Sequence, residues 1–208
     1  MTEKIEHPRE NLRGIIRTII TGQCFAAPLP QVLINGGVFS LLILQLGGSK
    51  FEVGLVFTLE FIAHSTRMFA ARYADVHNQK RMVIRWQIIS NAAFLLILLI
   101  EPIRLNLGNQ AAIWAALVIF FMQRVSIHYG MTAFHPLIAD LLPAPIRGRF
   151  FGAMRGAFQI TALVVTVAAG LLLGDDPSYL MFYILFVAMT LANFVRPVLF
   201  AVKLPEPH

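Results

Sequence analysis

The sequence predicts an all-α membrane protein with six transmembrane helices. Three observations predict it. Of the 208 residues, 57% are hydrophobic and only 13% charged, with a mean hydropathy of +0.70. A water-facing domain usually carries about 25% charged residues, so this chain lacks the charge to clothe a soluble surface. Six segments, approximately 17–45, 51–74, 82–100, 110–140, 149–173 and 177–202, are long and apolar enough for a hydrocarbon core about 30 Å thick, which takes roughly 20 residues to cross. Finally, with a cytoplasmic N-terminus every Lys and Arg except Lys50, Arg104 and Arg124 falls on the cytoplasmic side, and Glu52, Glu101, Asp175 and Asp176 fall opposite. That asymmetry supports six spans with both termini in the cytoplasm. It also explains the net charge of +6 without nucleic acid as a partner.

Residues 1–16 are a polar lead-in of mixed charge. The first span holds Pro28 and Pro30 and then Gly36-Gly37, so a kink or unwound stretch is expected near its middle. Freed carbonyls must face protein or water rather than lipid, which makes Gln31 and Asn35, four apart on one helix face, candidate cavity residues. Cys24 is the only cysteine, so no intrachain disulfide can form, and it reads as a small packing residue. The second span carries Glu60, His64 and Arg67 on one face. A carboxylate near mid-membrane must be paired or protonated, so Glu60 is expected to pair with Arg124 or to cycle a proton.

The third span is nearly all apolar after Arg85 and Trp86 and reads as a lipid-facing or filler helix. The fourth carries Gln123, Arg124, His128, Thr132 and His135. An Arg at mid-membrane costs about 2.5–3.5 kcal/mol on insertion scales, so Arg124 should face the bundle interior or water. Arg124, His128, Met131 and His135 form one helical stripe, with Arg124 and His128 expected to wall a cavity. The fifth span has Arg155 near the interface, Gln159 one turn on, and small residues at Ala168, Ala169 and Gly170 that permit close helix contact. The sixth is apolar until Arg196-Pro197, and residues 203–208 leave the membrane.

Two loops carry a family resemblance. Ala74, Asp75, Lys80 and Arg81 match the pattern Gly-x-Leu-Ala-Asp-Arg-x-Gly-Arg-Lys-Arg between the second and third helices of the major facilitator superfamily. Ala71, Tyr73, Val76, Asn78 and Gln79 depart from it, and Asn78 would supply the left-handed turn that the pattern gives to Gly. Asp140 and Arg147 match the acidic residue and Arg-Gly-Arg that typically join its fourth and fifth helices. Over about residues 11–206 the chain resembles the N-terminal six-helix half of that twelve-helix fold, built from inverted three-helix repeats.

The resemblance implies secondary transport of a small solute by alternating access, with no cofactor and no enzymatic step. It implies a cytoplasmic gate of Asp75, Lys80, Arg81, Asp140 and Arg147, and a C-terminal half or a homodimer to complete the site. It also implies residence in a bacterial inner (plasma) membrane. The superfamily's proton-coupled exporters have an Arg in the fourth helix, which Arg124 matches by position, although Ile127 and His128 replace the Gln and Gly that follow it there. That suggests proton coupling with Glu60 as the coupling carboxylate. No Pro-containing motif of those exporters occurs between Phe158 and Gly170. A non-transporting six-helix accessory or partner-binding protein is the alternative. A metal site from His128, His135 and Asp140 is disfavoured, since these residues differ in depth by roughly a helical turn or more.

Overall fold

The computed structural model describes residues 9–30, 32–33, 37–74, 78–174 and 176–206. The helices are α1 (Arg9–Ala26), α2 (Pro28–Pro30), α3 (Val38–Gln45), α4 (Lys50–Ser65), α5 (Arg67–Ala74), α6 (Gln79–Leu95), a 3-10 turn at Leu96–Leu99, α7 (Ile100–Leu107), α8 (Asn109–Met131), α9 (Phe134–Leu141), α10 (Ala144–Leu173) and α11 (Tyr179–Lys203). Among the described residues, four helical stretches are long and apolar enough to cross a membrane: Gln79–Leu107, Asn109–Leu141, Ala144–Leu173 and Tyr179–Lys203. The segments expected as the first two spans are assembled from shorter pieces. α1 stops at Ala26, just before the short α2 of Pro28–Pro30, and α3 begins at Val38 after Gly37, which has a φ of 66°. α4 and α5 are separated at Thr66, whose hydroxyl donates to the Ala63 carbonyl at 2.6 Å.

Local chemistry sets several of these ends. Ser49 caps α4: its Oγ accepts from the Phe51 N–H at 3.1 Å, and Glu52 reaches back to the Ser49 N–H at 2.9 Å. This reciprocal box satisfies two of the donors that a helix start leaves open. Asn78 has a φ of −60°, so it does not supply the left-handed turn expected of it. It is instead the N-cap of α6, accepting from the Arg81 N–H at 3.0 Å. The third membrane helix continues past residue 100 to Leu107. It ends at Gly108, whose φ is 87°. Within α7, Glu101 of the first turn and Arg104 of the last are paired through two bonds of 3.0 and 2.6 Å.

The buried side chains fall into three layers. One apolar cluster includes Phe39, Phe94, Phe120 and Phe186, from α3, α6, α8 and α11. A second includes Ile19, Met82, Phe134 and Phe200, from α1, α6, α9 and α11. Between them along each helix lie buried polar residues: Gln23 on α1, Gln87, Ser90 and Asn91 on α6, Gln123, Arg124 and His128 on α8, and Thr190, Asn193 and Arg196 on α11. The third membrane helix is therefore not filler. It packs against α8 and α11, and Gly130 lets α8 approach α6 so closely that an added Cβ would lie 2.6 Å from that of Trp86.

α10 is the outward helix. Ile160, Leu163, Val164, Val167 and Leu171 are exposed on it. An apolar face of this length would be a liability in water and is ordinary against lipid. Of its small residues, Ala169 is buried, whereas Ala168 and Gly170 are exposed and an added Cβ on Gly170 would touch nothing within 4 Å. The contact expected there is made by Ala169, which packs into the first apolar cluster, and not by Ala168 or Gly170.

Candidate functional site

Arg124 and His128 lie one turn apart on the same side of α8, and α4 presents Glu60 to both. Arg124 Nε and Nη2 donate to the two Glu60 carboxylate oxygens at 2.5 and 2.7 Å. The planar guanidinium matches the carboxylate fork, the strongest geometry available to such a pair. His128 Nε2 lies 2.9 Å from Glu60 Oε1, and its Nδ1 lies 2.9 Å from Arg67 Nη2. An arginine can only donate, so Nδ1 must be the bare nitrogen and Nε2 carries the proton given to Glu60. His128 is thus a neutral bridge between Arg67 and Glu60. His64 meets its ring edge-to-face, with centroids 4.9 Å apart.

Beside this cluster is a cavity of about 620 Å³. Its walls come from α1 (Gln23, Ala26), α5 (Arg67), α6 (Gln87), α8 (Gln123, Arg124, Ile127, His128, Met131), α9 (Phe134, His135), α10 (Met154, Arg155) and α11 (Asn193, Arg196), with Pro30 at the end of α2. Pieces of all six expected spans therefore reach it. Arg124 and His128 line it as expected, whereas Glu60 stands behind Arg124 and does not. Gln31 and Asn35 lie outside the described residues.

A second polar group faces the cavity from the opposite helices. Asn193 Nδ2 and Gln87 Nε2 both donate to Asn91 Oδ1, at 3.0 and 3.4 Å, and Ser90 Oγ donates to the Gln123 carbonyl at 3.2 Å. The amide oxygens of Gln87, Gln123 and Asn193 are left without a partner in the protein. Next to them Arg196 is 3% exposed. Its Nη1 donates to Gln23 Oε1 at 3.4 Å and its Nη2 to the Met131 sulfur at 2.8 Å. Its guanidinium lies over the rings of Phe134 and Phe200, 5.1 and 5.5 Å from their centroids. Reading the sequence missed Gln87, Asn193 and Arg196 as cavity residues. The available signal was amides spaced along helices otherwise rich in Leu, Ile and Phe, because a polar residue in such a helix seldom faces lipid.

The expected gate residues are scattered. Asp75 lies outside the described residues. Lys80 is buried and its Nζ donates to the Leu204 carbonyl at 2.6 Å, with Glu206 Oε1 3.8 Å away. Asn78 Nδ2 donates to Glu206 Oε2 at 2.7 Å, so the start of α6 is tied to the segment after α11. Arg81 and Asp140 are exposed. Arg147 Nε donates to the Leu142 carbonyl at 2.8 Å and its Nη2 to that of Ala139, so it closes the C-terminal end of α9. Among the described residues no ion pair joins Asp140 to Arg147.

Residues 24–208 match the family model described as the Major Facilitator Superfamily. Comparison with curated proteins and with solved structures found no match.

Proposed function

The chain belongs to the major facilitator superfamily of membrane transporters, and we propose that it performs secondary active transport of a small solute by alternating access, coupled to protons through Glu60. The observation that carries this reading is the cavity: about 620 Å³, reached by pieces of all six expected spans, with Arg124, His128 and Arg67 in its wall and Glu60 bonded behind them. A static helical bundle needs no such space, since ordinary interiors are close-packed. The protein is an integral membrane protein. We further propose that it crosses the membrane six times with both termini in the cytoplasm of a bacterial inner membrane, and that a second six-helix half, covalent or from another copy, completes the site.

In this reading Glu60 holds Arg124 and His128 while it is ionised. Protonation removes the charge that both partners address, and α4 and α5 are then free to shift against α8. Lys80, Asn78 and Glu206, with Asp75, Arg81, Asp140 and Arg147, form the cytoplasmic gate. Partly exposed polar contacts of this kind contribute only about 0–1 kcal/mol each, which suits a closure that must reopen.

The test needs no substrate. Ala144 is exposed at the start of α10. With Cys24→Ser and Ala144→Cys, labelling by a membrane-impermeant maleimide is followed in vesicles with and without an imposed pH gradient. The gradient should change the labelling rate, and Glu60→Gln should abolish that response. One rate under both conditions would support an accessory role instead.

A further inference from the structure

Four arginines meet the cavity, and among the described residues only Arg124 has a carboxylate bonded to it. Arg124 is neutralised by Glu60 through two bonds. Arg155 is exposed at the rim, and Arg67 is half-buried and held by His128. Arg196 differs from all of them. It is 3% exposed and its neighbours are an amide, a thioether and two ring faces; its Nε, like that of Arg67, has no partner among the described residues. No Asp or Glu is among the described residues lining the cavity.

Ring faces and neutral acceptors hold a guanidinium in place but do not cancel its charge. Burying an uncompensated charge is costly even after relaxation, so this arrangement calls for a counter-ion. Gly22 keeps the guanidinium where it is: a Cβ there would come within 2.9 Å of the Phe200 ring and 3.3 Å of Arg196 Cγ. The three unpartnered amide oxygens of Gln87, Gln123 and Asn193 share the same wall, and they accept rather than donate. Across the cavity Ile127, Met154 and Phe158 offer an apolar surface.

We propose that Arg196 is the anchor for a small organic anion, a carboxylate or phosphate whose apolar body lies against Ile127, Met154 and Phe158 and whose hydroxyl or N–H groups donate to Gln87, Gln123 and Asn193. This deepens the transport reading and rests on it. Entry of the anion supplies the missing counter-charge, and the free amide oxygens select a substrate with donors over a plain fatty acid. A cation is refused, because every charge on the cavity wall is already positive.

The experiment is calorimetric titration of the detergent-purified protein with three near-isosteric probes: 3-phenyllactate, its neutral amide 3-phenyllactamide, and the cation phenylalaninol. The anion should bind about 10- to 100-fold more tightly than the amide, the difference expected of charge-assisted hydrogen bonds, and the cation should not bind. Arg196→Gln should bring the anion down to the level of the amide, while Arg196→Lys retains part of the preference. If Arg196→Gln fails to fold, Arg196→Lys decides, and an anion preference undiminished in that variant overturns the proposal. Equal binding of anion and amide, or no binding of the anion, overturns the proposal. Anion preference without a response at Ala144→Cys to the pH gradient would keep Arg196 and remove transport. A response there without anion preference would do the reverse.

Discussion

Arg124 sits where a bilayer tolerates charge least, and Glu60 is what makes it tolerable. Both ions give up water to meet, so replacing the pair with apolar residues need not weaken the fold, whereas removing one member strands the other. Arg124→Ala is therefore expected to insert normally but to lose about 3–5 kcal/mol of stability in detergent unfolding, with loss of transport. The double replacement Glu60→Leu with Arg124→Leu should recover most of the stability and none of the transport. Equal destabilisation by single and double variants would show that the two residues do not act as a pair. At Gly130 the reasoning is steric. An added methyl would meet Trp86 Cβ at 2.6 Å, so Gly130→Ala should cost about 1–3 kcal/mol by overpacking. A thermal midpoint unchanged from the parent protein would contradict the close approach of α6 and α8.

Elements differ in how they are held. α4 depends on its cap: Ser49 and Glu52 exchange bonds at a turn with little packing around it. Ser49→Ala should cost about 1 kcal/mol and raise backbone amide exchange in the first turn of α4 while leaving that of α8 unchanged. Uniform exchange across both helices would show that packing, not the cap, fixes α4. The elements also show what sequence can and cannot reveal. The break after Ala26 was legible because proline carries its own cause. Asn78 was read as a turn residue and is a helix cap, since both roles suit an Asn and only the neighbouring N–H of Arg81 decides. The third span was read as filler because Gln87 and Asn91 are two amides among many apolar side chains. Their meaning comes from Asn193, a hundred residues away and bonded to Asn91. The pairing of Glu60 with Arg124 was legible because a bilayer narrows the options for any ionisable residue; the bonds of His128 to Glu60 and to Arg67 were not.

The whole molecule is a polar layer between two apolar clusters. Phe39, Phe94, Phe120 and Phe186 belong to the apolar cluster on one side of it, and Ile19, Met82, Phe134 and Phe200 to the cluster on the other. The cavity and the ion-paired cluster lie in the layer between. Charge counts and hydropathy foretold a membrane bundle, but not this layering, which requires the polar residues of α1, α6, α8 and α11 to meet at one depth. Under the proposed alternating access, each apolar cluster opens in turn while the polar layer stays. Ile127 lines the cavity and is uncharged, so a cysteine there reports access with little disturbance. The most direct measurement is labelling of Ile127→Cys, in a Cys24→Ser background, by an impermeant maleimide applied to right-side-out and to inside-out vesicles. The account predicts labelling from both faces, with the balance shifted by a pH gradient. Labelling from one face only, under every gradient, would contradict it.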